Sequence, residues 1–191
     1  MVVISTESGM MMHRMVLDNG DFVLGFVERK EFLERSRQEG FEAYLKKCRE
    51  QVDCFLVVAS FAECRNICSH IRKLLEKSGQ VNLDAADVSF VAGEGKICSV
   101  MEAVCKKEEK MEEALDSLLE RMGVENSGKW ESVLLSIIGD ITFVEGTELA
   151  ERLQEKLNPE AAVLFGLQEP IGAEVEEKRI LLMAAGKELV E

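Results

Sequence analysis

Two uninterrupted apolar runs govern what this chain can fold into: Phe22-Val23-Leu24-Gly25-Phe26-Val27 and Cys54-Phe55-Leu56-Val57-Val58-Ala59. A strand with one wet face alternates apolar and polar residues, whereas a run that is apolar throughout fits a strand buried on both faces. Between the two runs, Phe41, Tyr44, Leu45, Cys48 and Val52 fall on one face of a helix over residues 41–52. After the second run, Phe61, Cys64, Ile67, Cys68, Ile71, Leu74 and Leu75 keep helical spacing as far as Gly79. Alternating strand and helix predicts an α/β layer, a parallel sheet covered by helices. With the short apolar run at residues 2–5, about three strands fall in this half, fewer than a parallel sheet normally has. Such a sheet is expected to expose an apolar edge or face, and so to self-associate or take a partner. Residues 6–9 and Asn19-Gly20 read as turns. The Met-rich residues 10–15 read as irregular, an adaptable contact surface or a loop over the sheet edge.

The second half has another rhythm. Residues 84–91 make a short helix candidate and 96–104 a strand. Met111, Ala114, Leu115, Leu118, Leu119 and Met122 give helical spacing that Gly123 ends. Residues 132–138 form a strand and Gly139-Asp140 a turn. Leu149, Ala150, Leu153 and Leu157 mark a helix that stops before Pro159. Residues 161–167 and 177–185 complete the strands, with a hairpin-like link around Pro170–Gly172. The pattern predicts a compact α+β domain of about four strands.

The 191 residues carry 23 basic and 36 acidic side chains, a net charge of −13. A chain this acidic repels phosphate backbones and anionic lipid, which argues against nucleic-acid binding. The basic run 106–110 is interrupted by Glu108 and Glu109 and reads as a solvated helix face. No apolar stretch has the length of a membrane span, and the N-terminus lacks a signal-peptide pattern. The cysteines at 48, 54, 64, 68, 98 and 105 sit mostly in apolar patterns and read as reduced core thiols. A cytoplasmic location is expected, without membrane insertion.

Cys64 and Cys68 stand one helical turn apart with His70 nearby, a spacing that can hold a metal. His70 lies off their face and no second ligand pair is evident, so packing is the better account and no metal is expected. His13 has no nucleophile at a recognisable spacing, so no nucleophilic catalysis is expected. Asp84 fits the N-cap of the following helix and Asp87 its third position, where carboxylates satisfy free N–H groups.

Several stretches, in order, resemble the FtsZ/tubulin family. Ala161-Ala162-Val163-Leu164-Phe165-Gly166, then Gly172-Ala173-Glu174-Val175, then Ile180-Leu181-Leu182-Met183-Ala184-Ala185-Gly186 are similar to the last two strands of FtsZ and the loop between them. Residues 133–140 are similar to an upstream family strand. Val81-Asn82-Leu83-Asp84-Ala85-Ala86-Asp87-Val88 resembles the family's N-x-D-x-x-D loop. In the family this loop enters the nucleotide pocket of the next filament subunit and helps position the attacking water. The resemblance thereby points to Asn82, Asp84 and Asp87. Residues 23–58 resemble the strand–helix–strand that closes the GTP-binding half. Residues 1–10 resemble the strand leading into the family's glycine-rich phosphate loop.

The departures bear on function. Where the family has a phosphate cradle, Gly9 is followed by Met10-Met11-Met12-His13-Arg14. Bulky residues crowd a phosphate and tolerate poorly the positive φ that such a cradle needs. The family's ribose contact, Phe-Glu-Gly-Arg, corresponds to Phe32-Leu33-Glu34-Arg35, where Arg35 remains but the Glu and Gly positions have become Leu33 and Glu34.

The resemblance implies an α/β fold in which residues 1–60 are the remnant of a parallel, Rossmann-like GTPase sheet. Residues 61–80 would be the connecting helix, and 81–191 an α+β C-terminal-like domain. It further implies a truncated, non-enzymatic relative with no GTP site and no cofactor of its own. Such a chain would bind or cap an FtsZ-type filament, or pair with itself. Two alternatives stand: a self-associating scaffold for an unrelated partner, and a residual GTP-binding protein completed by oligomerisation.

Overall fold

The computed structural model describes residues 2–5, 9–18, 20–76, 79–93, 95–106, 108–123, 129–170 and 177–187. In chain order the elements are β1 (Val2–Ser5), β2 (Met10–Leu17), β3 (Gly20–Glu28), α1 (Arg29–Ser36), α2 (Phe41–Arg49), β4 (Cys54–Val58) and α3 (Cys64–Glu76). There follow α4 (Ala85–Val91), β5 (Ile97–Lys106), α5 (Met111–Arg121), β6 (Trp130–Ile138), α6 (Phe143–Lys156), β7 (Ala162–Gln168) and β8 (Glu177–Gly186). The α/β class expected from the two apolar runs is what forms.

The strands join in one mixed sheet of order β1-β2-β3-β4-β5-β8-β6-β7. Three expectations are corrected by it. First, residues 10–15 are not irregular: they belong to β2, which lies antiparallel to both β1 and β3. The first half therefore contributes four strands, and only β3 and β4 among them run parallel. Second, the sheet does not stop at residue 60. Strand β4 pairs in parallel with β5, Leu56 opposite Cys98 and Val57 opposite Ser99, so the two expected sheets are continuous. Third, β7 and β8 do not form a hairpin. Strand β8 lies between β5 and β6, antiparallel to each, while β7 pairs in parallel with β6 on the outer edge. The turns read at residues 6–8, at Asn19 and at 171–172, and the family-like stretch from Gly172 to Val175, lie outside the described residues.

Both faces of the sheet are covered. On one face Met10, Val27, Phe55, Val57 and Ile97 pack with Phe32 of α1 and with Leu45 and Cys48 of α2. Further along that face α5 and α6 cover β5, β8 and β6 through Leu115, Leu118, Leu149 and Leu153. On the other face α3 and α4 lie over Leu24, Phe26, Leu56, Cys98, Val100, Leu134 and Met183. The connecting helix expected at 61–80 is thus a packed layer: Ile67, Ile71 and Leu74 are essentially inaccessible. Burying each such aliphatic side chain stabilises the fold by about 1.5–3 kcal/mol. In place of an exposed apolar face, the large exposed apolar side chains among the described residues are scattered: Val16, Phe90, Val104, Phe143 and Val144. Among the described residues the sheet ends in strand β1 on one side and in strand β7, bridged at Leu167 by Val81, on the other.

Local chemistry fixes the helix ends. Thr142 and Glu145 form a capping box on α6, and these bonds hold the Glu145 carboxyl below its ordinary range. Gly123, at φ 75°, terminates α5. All six cysteines are buried and free. Burial pushes the thiols of Cys64, Cys68 and Cys98 up to about 12, which makes them core groups rather than nucleophiles.

Candidate functional site: the acidic loop and the polar cluster beneath it

Residues 79–87 lead into α4 along the outer edge of β7. One narrow backbone pair fixes them there: Val81 N–H donates to Leu167 O (3.2 Å) and Leu167 N–H donates to Val81 O (2.9 Å). Leu83 packs beneath, against Gly166, where a Cβ would come within 2.8 Å of the Leu83 side chain. Gly79 is equally constrained, since a Cβ there would collide with the Leu167 carbonyl oxygen.

The polar residues of this loop are held by the chain itself. Asn82 Oδ1 accepts from Gly79 N–H at 2.6 Å. Asp84 Oδ1 accepts from the N–H groups of Ala86 (2.7 Å) and Asp87 (3.0 Å), and Asp87 Oδ2 accepts from Asp84 N–H (2.8 Å). This is a reciprocal capping box at the start of α4. Asn82 and Asp84 are exposed and Asp87 is half-buried. The structure therefore brings the three residues together on one rigid turn and gives each a structural bond.

Arg35 is elsewhere. It lies on α1, which packs on β3 and β4, several strands from β7. Its guanidinium donates twice to Glu31 Oε1 (2.9 and 2.8 Å) and stacks over the Tyr44 ring at 4.6 Å. The same Glu31 carboxylate closes over Gly9, occupying the space a Cβ at Gly9 would need. From Met10 onward the chain runs as β2 with the Met10 side chain fully buried. Gly25 on β3 makes room for it: a Cβ there would lie 2.7 Å from Met10 Sδ.

A second constellation went unread in the sequence. His70, on the inner face of α3, is 1% exposed. Its Nδ1 lies 2.9 Å from Glu102 Oε1 on β5, and its Nε2 lies 3.0 Å from Ser136 Oγ on β6. Ser136 Oγ in turn lies 3.4 Å from Gln168 Oε1 on β7. Arg179 of β8 approaches Glu102 at 3.7 Å. An ionised carboxylate only accepts, so His70 carries its proton on Nδ1 and donates to Glu102. The order Ser–His–Glu matches a hydrolase triad in spacing. Ser136 and His70 are sealed beneath α3, however, where no substrate reaches the hydroxyl. Helical spacing had set His70 apart from Cys64 and Cys68. In the fold they mark opposite margins of one broad buried face.

No family model matches the chain. Among curated proteins it is 34% identical over 121 residues to the cell division protein FtsZ 1 of Thermococcus kodakarensis, covering 61% of this chain and 31% of that protein. It is 30% identical over 100 residues to the cell division protein FtsZ of Haloferax mediterranei, covering 50% and 26%. Among solved structures it resembles an empty FtsZ dimer from M. jannaschii, with a TM-score of 0.62 at 20% identity, covering 85% of this chain and 54% of that one. This chain is FtsZ/tubulin-like. A CetZ from Methanosaeta thermophila is similar in fold as well, with a TM-score of 0.56 at 15% identity over 80% of this chain and 50% of that one. The FtsZ/tubulin-like chain spans less than a third of the curated relatives' length and about half of the solved chains. Among the described residues no helix is long and apolar enough to cross a membrane.

Proposed function

We propose that this FtsZ-like chain is a non-enzymatic cytoplasmic modulator of an FtsZ-type filament in cell division, docking through Asn82, Asp84 and Asp87. The observation that carries this is the capping box. It fixes both aspartates to backbone N–H groups on a turn pinned to β7, with Asn82 and Asp84 exposed. A rigid acidic turn binds without first ordering itself. A chain that offers such a turn and holds no nucleotide of its own docks on one filament end and cannot be extended, which is the behaviour of a cap. Absence of its own GTP site is part of the proposal. It is supported by the course of β2 after Gly9 and by the Glu31 carboxylate seated against Gly9, since an anion there repels a phosphate.

The test is the GTP-driven assembly of an FtsZ-type protein followed by sedimentation. The wild-type chain is expected to lower polymer mass at substoichiometric amounts. Asp84→Ser keeps the helix cap but removes the charge, and it is expected to abolish the effect. An undiminished effect of the Ser variant overturns the role of the loop. Calorimetric binding of GTP to the isolated chain in the micromolar range overturns the non-enzymatic part.

Self-association is the second reading, supported by β1 standing as an edge strand of the sheet. A concentration-dependent mass in sedimentation equilibrium, unaffected by Asp84→Ser, is its signature.

A further inference from the structure

The polar cluster beneath α3 has a proton-counting problem whose solution is informative. With His70 neutral, Nε2 is bare and takes the Ser136 hydroxyl proton across 3.0 Å. Ser136 then has no proton left for Gln168 Oε1 at 3.4 Å. Gln168 is 2% exposed, and its Nε2 is buried without a partner. Turning the Gln168 amide end for end removes the conflict, because Nε2 then donates to Ser136 Oγ. With His70 protonated, the bonds run the other way. Nε2–H donates to Ser136 Oγ, and the hydroxyl donates to Gln168 Oε1. The contacts of His70, Ser136 and Gln168 thus support two arrangements, differing by one proton, one hydroxyl rotation and one amide turn, each of which leaves the far atom of the Gln168 amide without a partner among the described residues.

We propose that His70, Ser136 and Gln168 form a two-state hydrogen-bond relay in which protonation of His70 reverses the Ser136 hydroxyl and turns the Gln168 amide at the foot of the acidic loop. The relay ends where the loop is anchored. Gln168 follows Leu167, whose N–H and C=O hold Val81, and the Gln168 carbonyl accepts from Gly139 N–H at 3.2 Å. The relay thus reaches the residue next to the one whose backbone holds Val81. This is a property of the isolated chain and does not depend on what the loop binds.

Every element packed on His70 bears on its titration. Burial opposes the cation most strongly, Glu102 of β5 favours it, and Arg179 of β8 and Lys73 of α3 oppose it. Ser136 of β6 and Gln168 of β7 are neutral. The balance pushes the imidazole below its ordinary 6.5, so the neutral arrangement prevails at neutral pH. The native state then binds fewer protons than the unfolded chain just below 6.5, and stability falls as pH falls through that window.

The chain has only two histidines, which makes the test direct. In a His13→Gln variant, long-range 1H–15N correlation spectra report the His70 tautomer and titration, and side-chain amide signals report Gln168. The expected result is an Nδ1–H tautomer at pH 7.5. On acidification a shift of the Gln168 amide should share its midpoint with His70. In Ser136→Ala the Gln168 signal is expected to stop following the imidazole. An Nε2–H tautomer, a Gln168 amide indifferent to His70, or unfolding before His70 titrates each overturns the relay. In the last case the cationic arrangement has no native population.

Discussion

Leu56→Ala is expected to lower the stability of the whole chain by about 2–5 kcal/mol, and to do so as seen from the far end of the sheet. Leu56 is fully buried on β4, opposite Cys98 of β5, and packs in one cluster with Leu24, Phe26, Ile67, Ile71 and Met183. Its truncation removes contacts on both sides of the seam between residues 1–60 and 81–191. The chain has one tryptophan, Trp130, buried on β6 on the other side of that seam. Urea denaturation followed by Trp130 fluorescence and by circular dichroism is expected to give one coincident transition, displaced to lower urea in the variant. If the sheet were two independently folding units, the Trp130 transition would stay where it is while the circular dichroism split into two steps. That outcome would sink the continuous sheet.

How much of this was legible beforehand depended on the range of the interaction. The runs at 22–27 and 54–59 became β3 and β4 because a doubly buried strand leaves a local record. The cap of α4 was legible in Asp84 and Asp87 because both partners of the box lie within one turn of the chain. Strand β2 was illegible for a local reason. Methionine has no strong strand preference, and His13 and Arg14 break the alternation, so the segment is a strand only because β3 pairs with it. The position of β8 was illegible for a global one. Ile180–Ala185 announces a strand, but nothing within it names β5 and β6 as neighbours. The acidic loop was read as three residues and is found as three residues on one turn. The cluster at His70 was out of reach, since its partners lie 32 and 66 residues away.

That cluster sets the second large effect, and its expected result is a failure of additivity. Glu102→Leu keeps the volume but leaves the His70 Nδ1–H buried with no acceptor. It also takes a carboxylate from Arg179, which keeps Glu177 at 3.6 Å. An orphaned buried donor and a weakened ion pair together are expected to cost about 3 kcal/mol. Removing the donor as well should help. In the double variant His70→Leu with Glu102→Leu no imidazole N–H remains, and the Ser136 hydroxyl can turn to Gln168 Oε1, 3.4 Å away. The double variant is therefore expected to be more stable than Glu102→Leu alone by about 1 kcal/mol, because replacing both partners by apolar groups avoids the desolvation of an unmatched one. Urea midpoints at pH 7.5 measure both. A double variant that loses the sum of the two single effects would mean that His70 and Glu102 act independently, and that the 2.9 Å contact between them contributes nothing to holding α3 on the sheet.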